Sequence, residues 1–131
     1  MKKVVVFGAS PTEWRYSYKA VRMLDDYGYE VVPIGKRSGF IGTHAIVSGQ
    51  PSIDNVDTIT LYLNPKHSSE IEDYILSLNP KRIIFNPGAE NTDLQAKAVS
   101  LGIKTINGCT LVMLSTGNFE EKEFEANTSL S

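Results

Sequence analysis

The sequence predicts a single α/β domain built on a doubly wound parallel sheet of about five strands, with helices on both faces. Three observations predict it. Short β-branched runs alternate with apolar residues at helical spacing; glycines stand where helices should hand over to strands; and 131 residues, 41% of them apolar, supply one core and not two.

Val4-Val5-Val6-Phe7 is continuously apolar, as a strand buried on both faces should be. Turn residues follow. Tyr18, Val21, Met23 and Leu24 then recur at helical spacing over residues 18–27, and Gly28 is placed to close that helix. Glu30-Val31-Val32-Pro33-Ile34 reads as a second strand, which completes a strand–helix–strand unit of roughly thirty residues. Polar residues and glycine dominate from Gly35 to Pro51, where Ala45-Ile46-Val47 predicts a weak edge strand. Thr58-Ile59-Thr60-Leu61-Tyr62-Leu63 is the third long strand. Asn64 and Pro65 are helix-start residues, and Ile71, Ile75, Leu76 and Leu78 carry one helix beyond them. Lys81-Arg82-Ile83-Ile84-Phe85 is the fourth strand, and "NPGAEN", from Asn86 to Asn91, is a loop. A helix over 92–101 ends at Gly102, Ile103-Lys104-Thr105-Ile106 is the fifth strand, and a short closing helix follows Cys109. The order expected across the sheet is second, first, third, fourth, fifth. The domain is expected to occupy residues 1–117. Residues 118–131, acidic and polar with only Phe119, Phe124 and Leu130 as anchors, are expected to form a mobile tail.

Composition narrows the function. The net charge is -2 and the two signs are interspersed, so the basic face of a general nucleic-acid binder is missing. Cys109 is the only cysteine, which excludes an internal disulfide, leaves thiolate metal clusters without members and fits a reducing cytoplasm. Lys2 and Lys3 before an apolar run imitate a signal peptide, but about six apolar residues fall short of the roughly 7–15 that such a segment requires. No other stretch approaches the length of a membrane span. The expectation is a soluble cytoplasmic protein with a small-molecule nucleotide ligand, no metal, and neither nucleic acid nor membrane as partner.

In doubly wound sheets ligands sit at the carboxyl ends of the strands, where the strand order reverses. That brings together the loops after Phe7, Leu63 and Phe85. Gly8, Ala9 and Ser10 open the first loop, and the helix behind it offers backbone N–H groups and a positive dipole end to an anion, to which Arg15 can add a charge-assisted contact. The second glycine of G-x-G-x-x-G is missing, and a lone glycine after a strand also serves as an ordinary tight turn. Where a NAD site carries an acidic residue after the second strand, this chain has Gly35-Lys36-Arg37. Two cations there suit a phosphate, either that of NADP or the 3′-phosphate of coenzyme A, or are simply solvated loop charges.

Gly8-Ala9-Ser10-Pro11 with Arg15, Ser17 and Tyr18, then "GYEVVPIGKR", Ile41-Gly42, "LNP" at Leu63 to Pro65, "NPGAEN" and Cys109 together resemble the CoA-binding domain family. These are small single-domain Rossmann-like proteins similar to the CoA-binding module of succinyl-CoA synthetase α-subunits. The resemblance reaches to about Ser115. It implies that CoA is held by Gly8, Ala9, Ser10, Arg15 and Tyr18, by Lys36, by Asn64 and Pro65, and by Pro87, Gly88 and Ala89. Trp14 and Tyr16 depart from the family pattern, which has smaller residues or proline there, and so does Gly35, where an asparagine followed by proline is common.

Candidates for catalysis are sparse. His67 falls one turn into the helix after Pro65 and His44 follows the glycine-rich loop, neither with an orienting carboxylate visible in the sequence. Glu90 beside Gly88 is either a base or a capping group. Cys109, at the start of the closing helix, is either a ligand-proximal thiol able to form a mixed disulfide with CoA or a small packing residue. The phosphohistidine of succinyl-CoA synthetase belongs to a second domain that this sequence does not contain. Three readings follow: a module that binds CoA or acyl-CoA without catalysis of its own, an NADP-dependent oxidoreductase, or a ligand-free scaffold that binds a protein partner.

Overall fold

The computed structural model describes residues 1–120, and 121–131, most of the expected tail, lie outside the described residues. The elements run β1 (Lys3–Phe7), α1 (Tyr16–Asp26), β2 (Glu30–Ile34), β3 (Phe40–Ile41), β4 (His44–Ala45), β5 (Val56–Leu61), α2 (Pro65–Ser68), α3 (Glu72–Ser77), β6 (Arg82–Phe85), α4 (Thr92–Ser100), β7 (Lys104–Asn107) and α5 (Thr110–Ser115). The main sheet has five strands in the order β2-β1-β5-β6-β7, every neighbouring pair parallel. This is the expected doubly wound arrangement, with the reversal between β1 and β5.

Side chains of a strand alternate between its two faces, and the β1 run divides accordingly. Val5 and Phe7 join Ile59, Leu61, Ile83 and Phe85 under Ile75 of α3 and Leu94 and Ala98 of α4. Val4 and Val6 join Ile84 under Val21 and Leu24 of α1 and Leu114 of α5. All four β1 side chains are therefore buried, which is why the run carries no polar alternation.

Four elements differ from the sequence expectation, one of them the third long strand, which runs Val56–Leu61 and leaves Tyr62 and Leu63 to the loop. The weak edge strand is a two-residue antiparallel hairpin instead, Phe40 opposite Ala45 and Ile41 opposite His44, with Gly42 at φ +61° in its turn. Only Val47 reaches the main sheet: its N–H donates to the Pro33 carbonyl and its carbonyl accepts from the Gly35 N–H, both at 3.0 Å. Pro33 is tolerated in β2 because the N–H it lacks falls on the sheet's outer edge. The single helix after Pro65 is two, broken at Ile71 (φ -127°), where Glu70 and Ile71 close tight turns onto the carbonyls of His67 and Ser68. The break is hidden in the sequence because Ile71 and Ile75 keep helical phase across it. Finally, α1 starts at Tyr16, two residues early, because its first turn is exposed or polar and carries no apolar period.

Phe119 is buried at the amino ends of the strands, edge-on to Tyr29 with ring centres 5.1 Å apart and 4.5 Å beneath the Arg82 guanidinium. Arg82 Nη1 donates to the Phe119 carbonyl at 2.5 Å, and Glu120 accepts from the Tyr29 hydroxyl and from Lys2 Nζ at 2.6 Å.

Candidate functional site

At the carboxyl ends of β2, β1, β5 and β6 four loops stand side by side, about 4.8 Å apart, the spacing of paired strands. Two glycines set how closely they pack. Gly8 sits at φ +83°, and a Cβ there would lie 2.9 Å from the Tyr62 carbonyl oxygen of the β5 loop. A Cβ on Gly35 would lie 2.1 Å from the Ala9 carbonyl oxygen. The β1 loop is thus pressed backbone to backbone against its neighbours on both sides. Position 35 is glycine for a steric reason that only the folded chain reveals.

The N–H groups of Gly8 and Ala9 both point inward, to the Ile34 carbonyl at 3.0 and 2.9 Å. These two residues shape the loop and spend their donors on it. The donors that remain for an anion begin at Ser10 and run to the start of α1. Ser10 Oγ accepts from the Thr12 N–H at 3.1 Å, turning the chain toward the helix. Arg15 is the N-cap of α1 and is exposed; no side chain caps this end and its first turn holds no acidic residue. A helix start left with orphan N–H groups and a positive dipole end suits an anion. Tyr18, further into α1, is half-buried against the core.

Across the Gly35 contact lie Lys36 and Arg37, both exposed. Arg37 Nη1 donates to Thr12 Oγ1 at 3.3 Å, which draws the β2 loop over the β1 loop and puts two cations beside the open helix start.

The β5 and β6 turns have another chemistry. Asn64 caps α2, its Oδ1 accepting from the His67 N–H at 3.1 Å, and the exposed Pro65 has no N–H to give. In the β6 turn Gly88 N–H donates to Glu90 Oε1 and Ala89 N–H to the Asn86 carbonyl, each at 2.8 Å, while Ala89 is buried and Pro87 exposed. These turns show ring and backbone surface, with the Gly88 and Ala89 N–H groups used internally and none to give at the two prolines. Glu90 thus closes its own turn, and the cap of α4 is Asn91.

Under these turns lies a buried polar network that sequence reasoning did not single out. Asn86, 1% exposed, donates through Nδ2 to Thr60 Oγ1 at 2.7 Å and to the Leu61 carbonyl at 2.8 Å, and its Oδ1 accepts from the Thr110 N–H at 2.8 Å. Thr60 and Thr110 share a hydrogen bond of 2.7 Å. One asparagine therefore joins the ends of β5 and β6 to the start of α5. The polar pair bounding "NPGAEN" was the only signal. Cys109, the N-cap of α5, is half-buried beside this network, and burial pushes the neighbouring Tyr62 hydroxyl well above its usual range. That hydroxyl has no hydrogen-bond partner among the described residues.

His44 has a carboxylate partner that the sequence does not show. His44 Nε2 lies 3.0 Å from Asp25 Oδ1 and ties the hairpin to α1. Among the described residues no three His, Cys, Asp or Glu groups gather as a metal site would need, and no helix is long and apolar enough to cross a membrane.

An open concavity of about 1010 Å³ lies at the opposite end of the sheet, among the amino ends of the strands. Two of its lysines are engaged: Lys2 with Glu120 at 2.6 Å, and Lys3 with the Asp54 carbonyl at 2.6 Å and Glu30 at 3.6 Å. Volume and chemistry point to different ends, and the carboxyl end is the stronger candidate because the strand reversal, the open helix start and the cation pair coincide there.

A family model described as "CoA binding domain" matches residues 2–115. Among solved structures, an uncharacterized protein is 46% identical, over 91% of this chain and 98% of that one, with a TM-score of 0.88. A hypothetical protein from Pyrococcus horikoshii OT3 is 25% identical over 83% and 78% of the two chains, TM-score 0.73. A protein from Thermus thermophilus, cell-free ID.343, shares the fold at 18% identity, with 90% of each chain covered and a TM-score of 0.79. No curated protein matches.

Proposed function

The chain belongs to the CoA binding domain family, and from that premise we propose that it binds coenzyme A, or an acyl-CoA, across the carboxyl ends of β2, β1, β5 and β6 without catalysis of its own. The observation that carries the reading is the junction of Gly35 with Ala9, which sets Lys36 and Arg37 beside the uncapped start of α1. The ligand's charge is unevenly distributed along its length, and so is the cleft's. The 3′-phosphate goes to Lys36 at the β2 end, and the diphosphate to Ser10, Arg15 and the α1 start. The uncharged pantetheine arm goes over Asn64, Pro65, Pro87 and Gly88, which bring no charge and, at the two prolines and Gly88, no spare N–H. Tyr18 and the buried Ala9 and Ala89 shape the walls. On this path the thiol end runs toward β7, and Cys109 lies on that side of the cleft.

Calorimetry with the full chain tests the assignment. CoA should bind about tenfold more tightly than dephospho-CoA, the size of one charge-assisted contact, and Lys36→Ala should abolish the difference. Equal affinities for the two would refute the role of Lys36; preference for NADP over both would return the chain to the oxidoreductase reading.

A further inference from the structure

The β5 and β6 turns are tied a second time, beyond the sheet. Asn91, 6% exposed, caps α4 by accepting from the Leu94 N–H at 3.0 Å through Oδ1. Its Nδ2 turns the other way and donates to Ser68 Oγ, on the last residue of α2, at 2.8 Å. The same Nδ2 lies 3.4 Å from Glu72 Oε2 on α3, and the other oxygen of this buried carboxylate holds Lys97 Nζ of α4 at 2.7 Å. Asn64 and Pro65 stand one helical turn before Ser68, and Pro87, Gly88 and Ala89 end two residues before Asn91. Asn86 joins the roots of the two loops and Asn91 their outer ends. Between the two asparagines each turn is short and has little freedom to shift.

We propose that Asn91, through Ser68, is a positioning residue that fixes the gap between the Asn64–Pro65 and Pro87–Ala89 turns and thereby sets the affinity for the pantetheine arm of the ligand, a role that rests on the CoA reading above. Asn91 does not touch the ligand. A buried side-chain amide that caps one helix needs only its oxygen; the nitrogen is left to bond across to a second element, and here it reaches the helix that follows the facing turn.

The two functions of Asn91 are separable. Serine is a good N-cap but too short to reach Ser68, so Asn91→Ser keeps the α4 cap and opens the clamp. Ser68→Ala opens it from the other side and leaves the cap untouched. Calorimetry of the wild type, both single variants and the double variant uses two probes, CoA and adenosine 3′,5′-bisphosphate, which lacks the pantetheine arm. Each single variant should lose about fivefold in CoA affinity, the worth of one net hydrogen bond, with adenosine 3′,5′-bisphosphate unchanged. The double variant should lose no more than either single one, because the same contact is removed. Unchanged CoA binding in both single variants overturns the clamp alone. Equal losses for the two probes also overturn it, since a general loosening of the fold spares neither. A wild type that binds neither probe overturns the CoA reading and the clamp with it.

Discussion

Gly35 shows how much of the cleft is set by a missing atom. A methyl group there would stand 2.1 Å from the Ala9 carbonyl oxygen, a backbone atom that cannot swing aside as a side chain would. Gly35→Ala should destabilise the chain by about 3 kcal/mol, the upper part of the overpacking range, measured by urea unfolding. It should also weaken CoA binding, because the two loops that meet the phosphates are forced apart. Lys36→Ala, one residue along on an exposed side chain, should leave the unfolding midpoint where it is. Sequence reading weighed Gly8 as a tight turn or a ligand approach. Backbone packing alone requires the glycine, through Tyr62, a neighbour that the loop meets only after β1 and β5 have paired.

Among the elements, α1 carries a conflict between stability and binding. Its N-cap is Arg15, a residue whose side chain cannot accept from the helix N–H groups. Arg15→Asp supplies the acceptor and a favourable charge, and should raise stability by about 1 kcal/mol in denaturant titration. The same carboxylate would occupy the anion's place, so CoA affinity should fall by at least about tenfold. A variant that is both more stable and an equal binder would show that the diphosphate lies elsewhere. The strand order and the four loops were legible because strands buried on both faces read as continuous apolar runs and amphipathic helices impose a period of 3.6 over several residues. The hairpin of β3 and β4 was not, since two-residue strands have no period. Nor was the break between α2 and α3, across which the apolar phase continues. Asn86 and Asn91 were visible as letters of a polar loop, but their roles need partners on other elements, Thr60, Thr110 and Ser68, that no local pattern announces.

For the whole molecule, the strap at the amino ends gives stability a pH dependence. Burial pushes the Glu120 carboxyl up, but hydrogen bonds from Lys2 and Tyr29 outweigh it and hold it below its ordinary value of 4.5. A carboxyl with a lowered folded-state value stabilises fully above the unfolded one and loses that contribution as pH falls through the folded one. The stability gap between wild type and Glu120→Gln should therefore be widest at about pH 7 and close on titration toward about pH 3, followed by urea midpoints. A gap constant over that range would show that the carboxylate charge is not what holds the strap. The two margins of the main sheet differ in what they offer another polypeptide. At the carboxyl end of β2 the outward Pro33 carbonyl and Gly35 N–H are both taken by Val47, and proline leaves no further N–H on that rim. Among the described residues β7 is the other margin, four residues long with Lys104 at its start and Asn107 at its end. Short length and a charged residue are what discourage strand addition at such a margin. Self-association through β7 is accordingly disfavoured by its own length and charge, and at the carboxyl end of β2 it is disfavoured by Val47, which already holds the outward backbone groups.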